Sequence, residues 1–522
     1  MKKETAIEKA KRLEYSRTFD IHKWSEYSEV KECVDSIYKE MKRFKVIKDK
    51  RDYLIKKHLK VLIVDLWCAW NQDTKLYIGI SRRLPDYKKN ERYGKLKLGY
   101  KPMIATLDVL EKKEYITQDI GWLDRNRNIG RNTKIKATKK LIQKIVDEHG
   151  IKKSHIQRCK IQECIIMKEV IEIDGKEKKV EAKYVDTPKT KRMRKNLISY
   201  NNLLRKTHID IPNYSKDIQS DFEDESDKFV RRIFNNKKWN HGGRFYGGWW
   251  QRIRNYDRKN IRINGKSVVE IDYSAIHIVI LYSIVGIDYW SLGRKDAYDL
   301  SSYGYDMDDR IRNFLKLILL VSVNAKKGKK KDVTEATKVV RNEIRLDGYK
   351  EQQEQELSWV HDVFGVGGKV SNEKIEQLII DFADYHKDIK QFFYSKKGVE
   401  LQYIDSLIAE KIINHFTMLE IPILCIHDSF VIQSDKIDLG DEEDSLDWMM
   451  NIFFNKVIKD KFKSQSFAKL KQVGGLKLNP HSEYIKNLEK VKSDKKYMTR
   501  LKNHQEKEWF KNYYHDDDIK YS

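Results

Sequence analysis

The chain has 522 residues, a formal net charge of +26 and a hydrophobic content of 40%. That length allows two to four domains with sizeable cores, and the hydrophobic content excludes a wholly disordered chain. The basic excess favours a polyanionic partner, because Lys and Arg displace counterions from phosphates; a solvated, lysine-rich surface is the alternative. Aromatic residues, at 11%, add rings for base stacking, so nucleic acid is the expected partner.

Signals for membrane insertion and disulfide bonding are weak. No apolar run approaches the roughly 18 residues of a membrane span, and the opening MKKETAIEKAKRLEY has no signal-peptide core. The five cysteines are scattered, which suits reduced thiols. We therefore expect a cytoplasmic protein without a membrane partner.

Residues 1–57 are predicted to form N-terminal helices, since apolar residues recur at helical spacing in WSEYSEVKECVDSIYKEMKRF. Residues 58–165 then follow the order helix, strand, basic turn, strand and helix, which is the order of a winged-helix module. A basic wing can lie along a phosphate backbone, and its candidate residues are Arg125, Arg127, Arg131 and Lys134. The alternative is an ordinary helix-and-hairpin domain with a basic turn.

Residues 166–190, which include EIDGKEKKVEAKY, are predicted to form an exposed hairpin and a linker. Helical spacing resumes at TKRMRKNLISYNNLLRK, and a further helix is predicted to begin at Phe229, after the acidic stretch DFEDESDK. We therefore expect helices across residues 191–240, and a charged tail at residues 481–522.

The segment IRINGKSVVEIDYSAIHIVILYSIVG predicts a β-hairpin followed by a helix. Its Asn264-Gly265 dipeptide suits a type I′ turn, and the second strand ends at Asp272. The pattern then becomes helical, with Ile276 and Ile280 four residues apart. A carboxylate at the end of a central strand, beside the next backbone carbonyl, can hold a hard cation.

The segment IPILCIHDSFVIQ predicts a second strand–turn–strand unit, with Asp428 at or near its turn. Two aspartates from adjacent strand ends could bridge two Mg²⁺ ions about 3.5–4 Å apart, which suits in-line attack of a hydroxyl on phosphorus. Between the two hairpins, Arg312 and Lys316 are four residues apart and share one helix face suited to a triphosphate. A lone turn aspartate and a salt-bridging amphipathic helix are the alternatives.

Four segments together resemble the core of family A DNA polymerases and of single-subunit phage-type and mitochondrial RNA polymerases. DYSAIH, which begins at Asp272, is similar to their first polymerase motif, and IHDSF, around Asp428, to the third motif in its RNA polymerase form. The spacing R-x3-K-x7-NA from Arg312 resembles the fingers motif, and HGGRFYGGWWQ resembles the element that holds template and hybrid. The segments follow the family's order across roughly residues 190–480.

The resemblance implies an α+β fold: a right-hand polymerase with an antiparallel palm sheet and helical fingers and thumb, preceded by a mostly helical winged-helix-like domain. Residues 191–240 would form thumb-like helices, and residues 241–480 the palm and fingers. It implies a template-directed nucleotidyltransferase of phage or mobile-element type, a DNA-dependent RNA or DNA polymerase in a bacterial or phage-infected cell. Its partners would be a DNA template, nucleoside triphosphates, an RNA or DNA product, and two Mg²⁺ ions with Mn²⁺ as an alternative.

The resemblance also assigns roles to residues of this sequence. The metal ligands would be Asp272, Asp428 and the backbone carbonyl of Tyr273, and the two aspartates would be catalytic. The incoming nucleotide would be held by Arg312, Lys316, Asn324 and His277. The template and the primer or product strand would be contacted by Arg244, Tyr246, Trp249 and His427.

The sequence departs from the family where the sugar is selected. His277 replaces a glutamate, Asn324-Ala325 replaces Tyr-Gly, and Leu320 replaces an aromatic residue or Met. The choice between ribose and deoxyribose therefore stays open, with RNA or primer synthesis slightly favoured by HDSF and GRFY. Two other functions also stay open: a DNA-binding replication initiator or regulator with a catalytically silent polymerase-like palm, and a nuclease that uses the same aspartates.

Overall fold

The computed structural model describes residues 12–42, 52–87, 92–93, 98–124, 129–152, 155–158, 162–173, 176–211, 227–253, 255–325, 336–340, 372–436 and 445–475. Two hydrophobic cores organise this part of the chain. The first is built from residues between Val30 and Ile156, and the second from residues between Cys164 and Ile458. None of the described helices combines the length and the apolar character that crossing a bilayer requires.

The elements around the first core are β1 (Ser16–Thr18), β2 (Lys23–Trp24), α1 (Ser28–Lys42), α2 (Asp52–Gln72), β3 (Tyr77–Ile80), α3 (Tyr100–Lys112), β4 (Ile116–Asp119), β5 (Trp122–Asp124), β6 (Ile129–Arg131), β7 (Thr133–Ala137), α4 (Lys139–Gln143) and β8 (Gln157–Arg158). One sheet has the strand order β1-β3-β7-β4, and β5 and β6 form a separate hairpin pair. The predicted order of helix, strand, strand and helix is present as α3, β4, β7 and α4, with the pair β5–β6 inserted.

The predicted boundary between residues 57 and 58 falls inside α2. Helix α1 carries an apolar stripe that includes Val30, Ile37 and Met41, and these side chains are fully buried in the first core. Strand β1 also pairs in parallel with β3. The N-terminal segment therefore belongs to the same core as the residues that follow it, because its apolar faces are buried only there.

The elements around the second core are β9 (Ile165–Ile173), β10 (Lys176–Glu181), α5 (Pro188–Lys206), β11 (Ile209–Asp210), β12 (Arg231–Phe234), β13 (Gly242–Tyr246), α6 (Asn255–Arg258), β14 (Arg262–Ile263), β15 (Lys266–Tyr273), α7 (Ile276–Ile284), α8 (Asp309–Asn324), α9 (Asn372–Tyr385), α10 (Gly398–Met418), β16 (Leu424–Ile426), β17 (Ser429–Gln433), α11 (Leu446–Phe462) and β18 (Leu470–Gly475). One sheet has the order β10-β9-β12-β13. The other has the order β11-β14-β15-β17-β16, with β18 also paired to β15. The protein is thus a mixed α/β fold with mainly antiparallel sheets.

The predicted hairpin at residues 166–190 is present as β9 and β10, which pair antiparallel. It is more than a linker, however, because β9 also pairs in parallel with β12. The predicted boundary between residues 165 and 166 therefore falls within a strand of the second core.

The prediction of a helix beginning at Phe229 is wrong, and the run of helices across residues 191–240 ends with α5. Residues Arg231–Phe234 form strand β12 instead. Arg232 is only 2% exposed. Its charge can be buried because it donates to the Gly243 carbonyl at 2.8 Å and pairs with Glu410 at 2.8 Å. With Arg232 counted as buried, the segment alternates between inside and outside, which is the period of a strand.

The predicted hairpin before Asp272 is confirmed. Strands β14 and β15 pair antiparallel around Asn264 and Gly265, whose φ angles are 51° and 82°. Two positive φ values are what a type I′ turn requires. Helix α7 follows β15, so Asp272 stands one residue before the end of a buried strand that leads into a helix.

Candidate active site

Asp272 and Asp428 lie at the same end of two neighbouring strands. Strands β15 and β17 are antiparallel, and Asp272 pairs directly with Ser429, the residue after Asp428. His427 and Asp428 connect β16 to β17, and His427 has a left-handed φ of 61°. The tight turn therefore presents Asp428 next to the strand end that carries Asp272.

The two carboxylates interact electrostatically. Burial, and then the charge of Asp428, raise the pKa of Asp272 to about 7. The Lys471 ammonium opposes this shift from 3.6 Å away. The site thus holds more negative charge than its neighbours neutralise, which is the condition that a divalent cation relieves.

The residues present fit a hard cation only in part. No cluster of three His, Cys, Asp or Glu side chains with metal-ligand geometry occurs among the described residues. Asp272 and Asp428 would therefore supply two carboxylates, and the remaining ligands would be waters, backbone oxygens or phosphate oxygens. Mg²⁺ is commonly bound in this way, by one or two carboxylates together with substrate phosphates.

A buried ion pair next to the aspartates stabilises the pairing of β15 with β17. Arg258 donates to both carboxylate oxygens of Glu270, at 2.9 and 2.8 Å. The Ser429 hydroxyl donates to Glu270 Oε1 at 2.6 Å. All three residues are less than one tenth exposed, so this network fixes β15 against β17 beside the aspartates.

Helix α8 brings its two predicted cations to the same region. Arg312 donates two hydrogen bonds to Asp296, one of them 3.1 Å long, and its guanidinium carbon lies 5.3 Å from the Tyr298 ring centre. Lys316 donates to the Asn313 amide oxygen at 3.1 Å.

Electrostatic effects connect α8 to the aspartates. Burial lowers the pKa of Lys316, and so do the charges of Arg312 and Lys471, whereas Asp272 raises it. Burial also raises the pKa of Tyr298, and both Asp428 and Asp272 add to this increase. Lys316 and Tyr298 therefore lie within electrostatic reach of the carboxylates.

Arg244 is held inside the protein by an acid that the sequence interpretation missed. It pairs with Asp405 of α10, and its Nε lies 3.1 and 3.0 Å from the two carboxylate oxygens. Burial disfavours the charged guanidinium, but Asp405 outweighs this effect and raises the pKa of Arg244. His277 joins the group, since its Nε2 lies 2.9 Å from Asp405 and 3.1 Å from Arg244.

The other predicted template residues differ in exposure. Tyr246 and His427 are half-buried and meet edge to face, with ring centres 5.4 Å apart. Burial, followed by the charge of Arg244, lowers the pKa of His427. His427 Nδ1 is buried without a hydrogen-bond partner in the described part of the chain. Trp249, in contrast, is fully buried in the second core, and no part of its side chain reaches the surface.

The three positions that depart from the polymerase pattern meet in one pocket. His277, Leu320 and Asn324 line a narrow pocket together with Gly398 and Gln402, and its cavity volume of about 10 Å³ has room for about one water molecule. A Cβ at position 398 would lie 1.9 Å from Asn324 Oδ1, so a larger residue there would displace the Asn324 amide that lines the pocket. His277 and Asn324, predicted to bind nucleotide, are thus neighbours in space.

The predicted basic wing is described only in part. Arg125 and Arg127 lie outside the described residues. Arg131 forms an ion pair with Asp119, and Lys134 donates to the Ser16 hydroxyl. Burial, and then the charge of Arg131, lower the pKa of Lys134. Both side chains thus have partners within the first unit, by which we mean the elements around the first core, from β1 to β8.

Sequence reasoning missed several residues of this site, namely Asp296, Tyr298, Asp405, Glu270 and Lys471. Most of them come from distant elements and stand in ordinary local contexts. Asp405 carried one usable signal: it is a charged residue on the apolar side of α10, where Leu401, Ile408 and Ile412 are buried. A buried charge of this kind needs a partner.

Comparisons with known proteins supply no family name. No family model matches the chain, and neither the curated proteins nor the solved structures contain a significant match.

Proposed function

We propose that this chain is a template-directed nucleotidyltransferase that adds nucleotides to a nucleic-acid 3′ end with two Mg²⁺ ions, or with Mn²⁺ in their place. One observation carries the proposal: Asp272 and Asp428 lie at adjacent ends of antiparallel strands, and burial together with the charge of Asp428 raises the pKa of Asp272 to about 7. Two-metal phosphoryl transfer uses carboxylates placed in this way.

The proposed roles follow from position and charge. Asp272 and Asp428, with the Tyr273 carbonyl, would hold the metals, which lower the pKa of the attacking 3′ hydroxyl and stabilise charge on the phosphate. Lys316 would neutralise the triphosphate, since it lies within electrostatic reach of Asp272. Arg312, held by Asp296, would fix that part of α8 as well as add positive charge.

The proposal extends to the architecture. The sheet that contains β15 and β17 would be the palm of a right-hand polymerase, and α8 would belong to its fingers. The first unit would be a winged-helix-like module that binds DNA. We place the protein in the cytoplasm of a bacterial or phage-infected cell, with DNA as template and nucleoside triphosphates as substrates.

The pocket of His277, Leu320 and Asn324 is the proposed environment of the nucleotide sugar. Its lining combines an imidazole and two amides with apolar side chains. The lining is mostly apolar, but its imidazole and amides can hydrogen-bond a sugar hydroxyl, which is compatible with the proposed preference for RNA or primer synthesis over DNA synthesis.

Labelled-nucleotide incorporation tests the proposed function. Ribonucleotides and deoxyribonucleotides are offered separately, on a primed and an unprimed DNA template, to the wild type, Asp428→Asn and Asp460→Asn. Asp460 is an exposed aspartate of α11, so its variant controls for the change of charge. We expect Asp428→Asn to lose incorporation but to keep nearly all nucleic-acid affinity.

Three outcomes would count against this proposal. Substantial incorporation by Asp428→Asn would remove Asp428 from the chemistry. A wild type that binds DNA but incorporates neither sugar would favour the replication initiator or regulator with a silent palm, and metal-dependent cleavage would favour the nuclease.

A further inference from the structure

Lys471 stands directly across from Asp272, although the two residues are far apart in the chain. Strand β18 pairs with β15, and Lys471 Nζ lies 3.6 Å from Asp272 Oδ2. A strong charge-assisted hydrogen bond is roughly 2.7–2.9 Å long. The Lys471 side chain is also 42% exposed. The ion pair is therefore loose, and the ammonium is accessible to other anions.

Lys471 and Lys316 approach the same space from different elements. Lys316 comes from α8 and Lys471 from β18, and each interacts with Asp272. Their positive charges also act on each other, since Lys471 contributes to the lowered pKa of Lys316. Both ammonium groups therefore lie within electrostatic reach of Asp272 and of each other, so a polyanion bound near Asp272 would be attracted by both.

We propose that Lys471 is a second phosphate-binding cation, which exchanges Asp272 for the triphosphate of the incoming nucleotide or for the pyrophosphate that is released. This inference rests on the proposed function. A divalent cation bound to Asp272 and Asp428 is a stronger partner for the carboxylate than a loose ammonium group is. Its binding would release Lys471 from Asp272, and the released ammonium would then be available to the phosphates together with Lys316.

Two affinities test this exchange in the full chain, each measured by isothermal titration calorimetry. The first is for Mn²⁺ alone. The second is for inorganic tripolyphosphate in saturating Ca²⁺, a probe that lacks base and sugar and so reports phosphate binding only. The variants are Lys471→Met, Lys471→Arg and the control Lys459→Met, which removes the same charge from an exposed position of α11.

Lys471→Met should bind Mn²⁺ more tightly than the wild type, because the competing ammonium is gone. It should bind tripolyphosphate about tenfold more weakly, the usual effect of losing one charged hydrogen bond. Lys471→Arg should keep tripolyphosphate affinity within about threefold of the wild type, since it retains the charge. Lys459→Met should change neither affinity.

Other results would overturn the inference. If both affinities of Lys471→Met fall together, Lys471 only supports the geometry of Asp272. If Mn²⁺ binds more tightly while tripolyphosphate affinity is unchanged, Lys471 competes with metal and does not bind phosphate. A wild type that binds neither probe would overturn the proposed function as well, so the two failures are distinguishable.

Discussion

At the scale of single residues, Asp272 is held where its negative charge is unfavourable. Its side chain is only 23% exposed, and its neighbours include Asp428 as well as the loosely paired Lys471. Burial and like charge both disfavour the ionised carboxylate. Such groups cluster at functional sites, where a ligand of opposite charge relieves the repulsion. The energetics of Asp272 thus favour a cation as its ligand.

The stability of the metal-free protein should fall as pH rises through about 7. Burial and Asp428 raise the pKa of Asp272 to about 7, so the folded state keeps a proton that the unfolded chain releases near pH 4. The stabilising contribution of this proton is full below about pH 4 and is lost as pH rises through about 7. Divalent cations bind the ionised form, so Mg²⁺ should raise the melting temperature more at pH 8 than at pH 6.

Two variants make this pH experiment specific to the aspartate pair. Asp428→Asn removes the repulsion, so its Mg²⁺-free melting temperature should vary less with pH and Mg²⁺ should stabilise it less. Asp460→Asn should behave like the wild type in both respects. An equal effect of Mg²⁺ on the wild type at the two pH values would contradict the prediction.

Glu270→Gln should destabilise the fold far more than an equivalent change on the surface. The substitution leaves the buried Arg258 without its charged partner, which costs about 3–5 kcal/mol in the free energy of unfolding. Ser429→Ala, which removes one hydrogen bond, should cost about 1–2 kcal/mol. Urea unfolding measures both changes, and Glu400→Gln, from the half-exposed pair with Lys397, is the control at below about 1 kcal/mol. Equal losses for Glu270→Gln and Glu400→Gln would refute the supporting role of the buried network.

The strand-end positions of the two central aspartates could be predicted from sequence, because each follows a short apolar run, whereas their proposed role came from the resemblance to polymerase motifs. Their surroundings could not. Asp405, Asp296 and Lys471 reach the site only through packing of α10, of the loop before α8 and of β18. Local patterns do not encode which distant strands and helices meet, so these partners required the structure.

At the scale of elements, the predictions succeeded where local chemistry decides and failed where long-range pairing decides. The turn at Asn264-Gly265 is specified by its own residues. Strand β12 depends instead on β9 and β13, and on Glu410 as the partner of its buried Arg232. From sequence alone, a charged residue such as Arg232 is assigned to the surface when its partner is distant in the chain. With Arg232 placed at the surface, the strand alternation of this segment is hidden, and a helix was predicted instead.

Helix α8 provides a prediction at this scale. Lys316→Ala should lower kcat/KM for incorporation by on the order of 10²-fold, because a preorganised cation is lost from the proposed triphosphate site. The folding stability should change little, since Lys316 has only the Asn313 amide as a hydrogen-bond partner in the described structure. Lys456→Ala, at an exposed position of α11, is the matched control. An unchanged kcat/KM in Lys316→Ala would favour the amphipathic-helix alternative.

At the scale of the whole molecule, a short segment before α3 contacts the elements around the second core. The Tyr93 hydroxyl accepts from the Met167 backbone nitrogen and donates to the Ala182 carbonyl, both at 3.0 Å. Arg92 beside it pairs with Glu163 and Asp186. The described residues Arg92 and Tyr93, which precede α3, thus contact the hairpin of β9 and β10 and the residues that flank it.

The last prediction concerns the basic wing of the first unit, in the full chain. Phosphate contacts make DNA affinity depend on salt, with a slope of roughly 0.9 log units per log unit of salt for each phosphate neutralised. Replacing Arg125 and Arg127 together by Gln should therefore flatten the salt dependence of duplex DNA affinity. Arg131→Gln should flatten it less, because Arg131 already pairs with Asp119. The measurement is a fluorescence anisotropy titration at several salt concentrations.

The control replaces Lys456 and Lys459 by Gln, which removes two charges from exposed positions of α11 in the other unit. It should leave the slope nearly unchanged, because a surface charge that contacts no phosphate releases no counterion on binding. Incorporation on a short pre-annealed substrate should fall less than duplex affinity in the Arg125 and Arg127 variant, since the aspartates lie in the second unit. Equal slopes for this variant and the wild type would show that the predicted wing does not meet DNA, and would leave the first unit as a scaffold.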